Sequence, residues 1–320
     1  MSQDASPAAA MKALRTRKRL RLLKRWENPI EGYLFLLPWL IGIFTLVLWP
    51  FFESIYYSLT QYSLLAASPE WVGLKNYKVI FQNDDLFVQS LKVTFLYVLY
   101  TAPSKLVFAL LMAMLLNKSI KGISAYRTLI YFPSLIGGSM AVSILWKNIF
   151  GSDGLVNQLL AHIGVQGPAW LANPHTALPT LGLLDVWQFG SPMIIFLAGL
   201  KQIPGDLYEA SAVDGASRVR MFFRITLPML SPVILFNLVM QMIGSFQTFT
   251  QGFIITRGGP MNATYFYAMY LYERAFGRFD MGYASALAWI LLVIIALLTA
   301  AVFASTKYWV HYESETGGRK

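Results

Sequence analysis

Six long apolar stretches run along this chain, and they restrict its possible folds more than any other feature of the sequence. Several contain about 18 or more residues without a charge, which is enough for a helix to cross the hydrocarbon layer of a bilayer. Of the 320 residues, 56% are hydrophobic and 13% are charged, whereas a soluble domain has about 25% charged residues. The sequence therefore predicts an all-α membrane protein with six transmembrane helices.

Hydropathy places these spans and with them the domain organisation. We expect the spans at Tyr33–Tyr57, Val93–Leu116, Leu129–Phe150, Leu178–Leu200, Leu227–Thr256 and Ala284–Ser305. Residues 29–308 then form one transmembrane domain, between a basic arm over residues 1–28 and a tail over residues 309–320. The arm meets a full-length span without a cleavage site, so it does not resemble a secretory signal.

Lysine and arginine residues are distributed unequally between the two sides of this topology. One side carries eight in the arm, three in the second loop, four in the fourth loop and three at the C terminus, whereas the other side carries seven. Because positive residues in short loops remain in the cytoplasm, both termini are expected there. Topology and anionic headgroups thus account for the net charge of +10 better than nucleic-acid binding does.

The cytoplasmic loop over residues 203–228 has the pattern of a short helical hairpin. Asp206 followed by Glu209 forms a capping-box pattern that would begin a first helix. Gly215 is placed to end that helix in a conformation with positive φ. A second short helix over Ala216–Ile225 would present three arginines. From spacing alone, the loop could also be a well-capped connector.

The same loop resembles the signature loop of ATP-binding-cassette (ABC) importer permeases. That signature reads Glu-Ala-Ala, three residues, Gly, and a hydrophobic tail ending in Ile-x-Leu-Pro, and this chain departs from it at Ser211, where the signature has its second alanine. Residues 30–306 are similar to the carbohydrate-uptake branch and its larger, maltose-type permease subunit, in a compact six-span form. The segments that carry this similarity are YLFLLPW at 33–39, VGLKNY at 72–77, AMLLN at 113–117, FLAGLKQIP at 196–204 and ITRGGP at 255–260.

The resemblance implies a type I importer permease fold in a bacterial cytoplasmic (inner) membrane. It implies a sugar or oligosaccharide as solute, a second permease subunit, two copies of a cytoplasmic ATPase and an extracytoplasmic solute-binding protein. The hairpin would be the coupling helix that docks on the ATPase. The residues expected to couple are Glu209, Ala210, Asp214, Gly215, Ala216 and Arg218.

The sequence contains no phosphate loop for binding ATP. No Gly-x-x-x-x-Gly-Lys-[Ser/Thr] run occurs, and neither does any Gly-Lys pair. The chain has no cysteine, and its three histidines are scattered without the spacing of metal ligands. We therefore expect no catalytic residue, metal site or cofactor in this chain, with ATP and Mg²⁺ bound by the partner ATPase.

The fifth predicted span carries polar residues that share one helical face within about 120°. Polar groups in a membrane helix must face protein or water, so this stripe could line a solute pathway or bond to a neighbouring helix. Amides both donate and accept hydrogen bonds, which favours a polyhydroxy solute. The stripe consists of Asn237, Gln241, Ser245, Thr248 and Gln251, with Asp185 and Gln188 of the fourth span as second candidates.

Two positively charged residues bear on whether the solute is neutral or anionic, and the sequence does not decide between these. Lys105 lies inside a span, where it could form a buried structural pair or attract an anionic solute such as a uronic-acid sugar. Arg257 of the ITRGGP segment points to the same anionic solute. Three alternatives also remain. One is a secondary transporter, whose inverted repeats and paired carboxylates are not found here. The others are a membrane scaffold or receptor without transport, which would not need the hairpin, and an ABC importer for peptides or anions.

Overall fold

The computed structural model describes residues 29–65, 68–118 and 121–311, and these residues are predominantly helical. The predicted arm over residues 1–28 lies outside the described residues, as does the tail from residue 312 onward. The chain divides into two compact units, one ending at Tyr57 and the other beginning at Ser58.

The described residues of the first unit form one long apolar helix with a π-helical segment in its middle. Helix α1 (Pro29–Gly42) continues through a π-helical segment, Ile43–Leu48, into α2 (Trp49–Ser58). The stretch Gly32–Ser58 contains 27 residues, which at 1.5 Å per residue spans roughly 40 Å. This length exceeds the thickness of the hydrocarbon layer, and the helix coincides with the first predicted span.

The second unit begins with a small polar motif and then becomes a helical bundle. Strands β1 (Thr60–Gln61) and β2 (Glu70–Trp71) pair antiparallel, with Thr60 opposite Trp71, and α3 (Lys75–Asn83) follows. The remaining helices are α4 (Asp85–Leu116), α5 (Ile123–Ile136), α6 (Met140–Ile149), α7 (Leu155–His162), α8 (Pro174–Trp187), α9 (Gly190–Leu200), α10 (Gly205–Val213), α11 (Arg218–Met221), α12 (Leu227–Met229), α13 (Ser231–Phe246), α14 (Tyr267–Tyr272) and α15 (Met281–Trp309). Three further π-helical segments lie at Phe222–Thr226, Gly252–Thr256 and Glu273–Gly277.

Within the described ranges, three helices are long and apolar enough to cross a membrane, or six when each bent pair is counted as one span. The three single helices are Gly32–Ser58, α4 and α15. The bent pairs are α5 with α6, α8 with α9, and the Arg218–Met229 segment with α13. On that count the six spans follow the predicted order, and the all-α class is confirmed.

The third and fourth predicted spans, each expected as one helix, are broken in the middle. Between α5 and α6 the axis turns by 98°, and Ser139 caps the new helix by accepting a hydrogen bond from the amide of Val142 (3.3 Å). Between α8 and α9 it turns by 47°. There Pro192 lacks the amide hydrogen that would continue the helical ladder.

These two breaks pack against each other. A side chain at Gly137 would place its Cβ atom 2.2 Å from Cγ of Gln188. Across the same contact, the amide of Gly190 donates to the hydroxyl of Ser134 (2.7 Å). The glycines therefore permit a close approach that hydropathy alone does not reveal.

The prediction of one unbroken helix over Leu227–Thr256 is wrong. The axis turns by 66° between α12 and α13, because Pro232 has no amide hydrogen for the carbonyl of Pro228. The hydroxyl of Ser231 donates to that carbonyl instead (2.6 Å). Helix α13 then ends at Phe246, and the chain is irregular over residues 247–249 before helical geometry resumes at Thr250 and continues into the π-helical segment Gly252–Thr256.

Helix α4 lies at the centre of the core of the second unit. Its first half packs in one apolar cluster with residues such as Leu181 of α8 and Leu287 of α15. Its second half packs in another cluster with Met193 of α9 and Leu230, the residue between α12 and α13. The helices around the loop 203–228 are thereby fixed to α4.

Candidate functional site: a helical hairpin and a polar ladder

The loop between α9 and α12 forms a helical hairpin, as its sequence predicts. Gly215 ends α10 with φ +75°, a conformation that glycine adopts without steric cost. The amide of Ala216 donates to the carbonyl of Ser211 (2.9 Å), and the amide of Gly215 donates to that of Ala212 (3.1 Å). This pair of bonds is a Schellman motif, which satisfies the last carbonyls of α10 and fixes the direction of the turn.

The start of α10 differs from its predicted capping box. The N-cap position belongs to Pro204, no side chain caps the helix there, and Asp206 lies in the first turn. The helix begins at Gly205, so Asp206 and Glu209 lie inside it and cannot form the reciprocal pair. The second helix begins at Arg218, two residues later than expected, because Ser217 is its N-cap and accepts a bond from the amide of Arg220 (3.3 Å).

The tip of the hairpin is exposed, whereas its base is fixed. Glu209, Ala210, Asp214, Gly215 and Arg218 are exposed and Ala216 is half-buried. At the base, the hydroxyls of Tyr208 and Thr226 share a hydrogen bond (2.9 Å).

Apolar side chains are also exposed on the hairpin. Val213 is 88% exposed and Val219 is 67% exposed. The exposed surface of the hairpin therefore carries both charged and apolar side chains.

A second feature is a row of polar contacts made by Tyr97, Thr101 and Lys105 along one face of α4, here called the polar ladder. The hydroxyl of Tyr97 donates to Oε1 of Gln251 (2.9 Å), and the hydroxyls of Thr101 and Ser245 lie 3.3 Å apart. One turn further, the ammonium of Lys105 lies 3.2 Å from Oδ1 of Asp185 on α8. The positions 97, 101 and 105 lie four residues apart and therefore on one helical face.

The ladder also gives the relative direction of its helices. Thr101 of α4 contacts Ser245 near the end of α13, whereas the second half of α4 packs with Leu230, which lies just before the start of α13. Helices α4 and α13 are therefore antiparallel, and Gln241 lies near the level of Lys105.

The structure separates the predicted polar stripe into two groups. Asn237, Ser245 and Gln251 are buried, whereas Gln241 and Thr248 are half-buried. The predicted stripe required one continuous helix. Because α13 ends at Phe246, Thr248 and Gln251 do not lie on its face. Ser245 and Gln251 bond to α4, which is the helix-to-helix contact that the sequence left open.

The remaining candidate, the pair Asp185 and Gln188, occupies the end of α8. Both are half-buried, and Oδ2 of Asp185 is buried without a hydrogen-bond partner among the described residues. The same holds for Nδ2 of Asn237. Lys105 forms the buried ion pair that was one of its two interpretations.

The ladder as a whole was missed by the sequence analysis, although a signal for it exists. Ser90, Thr94, Tyr97, Thr101 and Lys105 are all buried and fall within about 80° of one another on a helical projection. The sequence singled out only Lys105 among them, because a few hydroxyl side chains change the hydropathy of an apolar helix too little to be noticed. The amide of Tyr267 donates to the hydroxyl of Thr94 (2.9 Å), which places α14 on the same face.

Several helices that are long and apolar enough to cross a membrane are typical of an integral membrane protein. Among the described residues there is no cluster of histidine or acidic side chains able to hold a metal ion. The chain belongs to the family of binding-protein-dependent transport system inner membrane components, whose sequence profile matches residues 84–310. This family consists of transport components of the inner membrane and not of enzymes.

Several relatives match nearly their whole length. The probable ABC transporter permease protein YesP of Bacillus subtilis is 53% identical over 90% of this chain and 94% of its own. The sulfoquinovosyl glycerol transport system permease protein SmoG of Agrobacterium fabrum is 34% identical over 87% and 92%. The lactose transport system permease protein LacF of Rhizobium radiobacter is 32% identical over 88% and 95%.

A solved structure shares the fold. It is a chain of a bacterial ABC transporter involved in the import of the acidic polysaccharide alginate, with a TM-score of 0.72 and 23% identity over 90% of this chain and 98% of that chain. The chain thus has the type I ABC importer permease fold that the sequence resemblance implied.

Proposed function

We propose that this chain is a permease subunit of an ATP-driven importer for a sugar or oligosaccharide and forms half of the translocation pathway. The hairpin is the observation that carries the proposal, because a rigid exposed element fixed to the helical core can pass motion from another subunit. The names of SmoG and LacF, a sulfoquinovosyl glycerol and a lactose permease, support a sugar as solute. Membership of a binding-protein-dependent family disfavours the secondary transporter.

The partners follow from this function. The hairpin residues Glu209 to Arg218 would dock on a cytoplasmic ATPase present in two copies, which binds ATP and Mg²⁺. A second permease would supply the other half of the pathway, and an extracytoplasmic binding protein would deliver the solute. The hairpin and both termini would then lie on the cytoplasmic side, in agreement with the bias of Lys and Arg.

The pathway is proposed to include the polar residues on α8 and around α13. Gln241, Thr248, Asp185 and Gln188 are half-buried, so their side chains retain surface that a solute could reach. The buried members, Asn237, Ser245 and Gln251, would border the pathway and position the helices through their bonds.

Reconstitution tests this function. The complex purified through a tag on this chain is placed in liposomes with ATP inside and binding protein with labelled sugar outside. We expect uptake that requires ATP, and no ATP hydrolysis by the chain once every partner is removed. Uptake without ATP in the presence of an ion gradient would contradict the proposal, as would hydrolysis by the isolated chain.

A further inference from the structure

A cavity of about 330 Å³ lies at the end of the bundle away from the hairpin. Its lining includes Phe253, Arg257, Tyr265, Tyr272 and Glu273. Helix α13 begins at the hairpin and ends at Phe246, and these residues follow it in the chain, so the cavity belongs to the opposite end. The volume lies at the lower end of the range for ligand pockets, which are typically lined by aromatic side chains and a few polar groups.

Arg257 is held in an unusual backbone conformation by a rigid loop. Its φ of 52° and ψ of 35° lie in the left-handed region, which few residues other than glycine occupy. The loop is fixed by Thr264, which is fully buried and donates from its hydroxyl to the carbonyl of Gly259 (2.7 Å). Such conformations persist only where the surroundings enforce them, and they are concentrated at functional sites.

The guanidinium of Arg257 is free to bind an anion. Among the residues that the structure describes, it forms neither a hydrogen bond nor an ion pair. Nearby, Glu273 is already engaged, because its carboxylate accepts a bond from the hydroxyl of Tyr265 and pairs with Arg278 (3.0 Å). The bond from Tyr265, together with Arg278, lowers the pKa of Glu273, so this pair stays ionised and leaves the charge of Arg257 uncompensated.

Two aromatic rings complete the lining at a steep angle to each other. The ring centroids of Phe253 and Tyr272 lie 5.6 Å apart, with the ring planes at 69°, and each residue is 41% exposed. Phe249 stacks on Phe253 at 5.0 Å and holds it in place. A sugar ring presents a face of C–H bonds, which the negatively charged face of an aromatic ring attracts.

We propose that this cavity binds one acidic sugar unit, with its carboxylate on Arg257 and its C–H face on Phe253 and Tyr272. The planar guanidinium binds a carboxylate through two parallel hydrogen bonds, which a neutral sugar cannot form. The inference rests on the proposed sugar-importer function and deepens it, since it assigns an anionic solute class. It also places the discrimination between acidic and neutral sugars at the end of the bundle remote from the hairpin.

Binding of D-glucuronate, with D-glucose as its neutral counterpart, tests the proposal. The full chain, with the partners that co-purify, is placed in phosphatidylcholine nanodiscs, so that anionic headgroups do not compete. Saturation-transfer NMR is then recorded for the wild type, Arg257→Gln, Arg257→Lys and Phe253→Leu. Lys78→Gln is the matched control, because it removes an exposed cation on α3 that does not line the cavity.

We expect wild type and Lys78→Gln to bind glucuronate alike and to bind glucose at least about ten-fold more weakly. Arg257→Gln should lose about ten-fold or more in affinity for glucuronate, Arg257→Lys should recover part of it, and Phe253→Leu should weaken both sugars. Unchanged glucuronate binding by Arg257→Gln, equal binding of both sugars by the wild type, or no binding at all would overturn the proposal. Uptake in liposomes is measured separately, so a complex that imports neutral sugar normally while failing this test refutes the cavity and not the importer.

Discussion

Replacing Gly215 by valine tests whether the hairpin couples this chain to an ATPase. No atom lies within 4 Å of the position that a Cβ would occupy at Gly215, so the substitution creates no clash and its cost is conformational. A residue with a side chain in the left-handed region costs about 1–2 kcal/mol, and a β-branched one costs more. The ratio of correctly formed to misaligned hairpins should therefore fall about 5- to 30-fold.

Gly205 offers a matched control at the other end of the same helix. It too has open space around the Cβ position, but its φ is not positive. Gly205→Val should therefore be nearly neutral, whereas Gly215→Asn should be milder than Gly215→Val because asparagine tolerates positive φ better.

The assay measures uptake and solute-stimulated ATP hydrolysis in liposomes, with assembly followed by co-purification. Gly215→Val should lower both activities together while the complex still assembles. Two results would refute the reasoning: wild-type transport in Gly215→Val, or an equal loss in Gly205→Val. The first result would make the loop a connector whose exact direction does not matter, and the second would show that the loss does not come from the positive φ of Gly215.

Three further predictions follow from the buried polar contacts. Lys105→Met should destabilise the purified complex by about 3–5 kcal/mol, and adding Asp185→Leu should recover much of this; an unchanged thermal midpoint in the single variant would contradict the pair. Gln241→Leu should lower uptake while the complex assembles normally. Ser245→Ala removes one bond to α4, so it should cost about 1 kcal/mol of stability and leave uptake nearly unchanged. The reverse pattern would exclude Gln241 from the pathway. Asp84→Asn should destabilise the complex above about pH 5, and the difference in stability between variant and wild type should vanish at lower pH. A stability difference that grows on acidification would contradict this.

The sign of the last prediction follows from the surroundings of Asp84. Burial alone would raise the pKa of its carboxyl, but hydrogen bonds from Tyr270 and Tyr283 and the charge of Arg274 lower it overall. A carboxyl whose pKa is lower in the folded state contributes stability above the unfolded value of about 3.9. That contribution is lost as the pH falls through the lowered folded value.

Hydropathy and turn chemistry were enough to predict much of this fold. Each span is a run of apolar residues whose length is fixed by the bilayer, so its presence is a local property of the sequence. The turn at Gly215 is equally local, because only its own φ and the carbonyls of α10 are involved. The position of the hairpin, which is proposed to couple this chain to an ATPase, could be predicted for the same reason.

The helix breaks could not be predicted in this way, because they depend on contacts between distant segments. Gly137 is required by Gln188, and Gly190 by Ser134, and none of these pairs is close in sequence. The capping box at Asp206 failed for another reason: the pattern was present, but Pro204 occupies the N-cap and shifts the helix start. The polar ladder of α4 was missed because each of its polar residues can be recognised as part of a contact only when the partner is known, such as Ser245 for Thr101.

The polar ladder limits how the hairpin can move. Helix α13 contains 16 residues and is roughly 24 Å long, so a tilt of about 10° about the hairpin would displace its far end by about 4 Å. A hydrogen bond does not survive such a displacement. The bond of Ser245 to Thr101 lies at that far end, and the bond of Gln251 to Tyr97 lies just beyond it in the chain. As long as these bonds persist, α4 moves together with α13, and α8 moves with them because the ion pair of Lys105 with Asp185 joins it to α4. Under that condition, a displacement of the hairpin would reach the opposite end of the bundle through α4, α8 and α13 moving as one body.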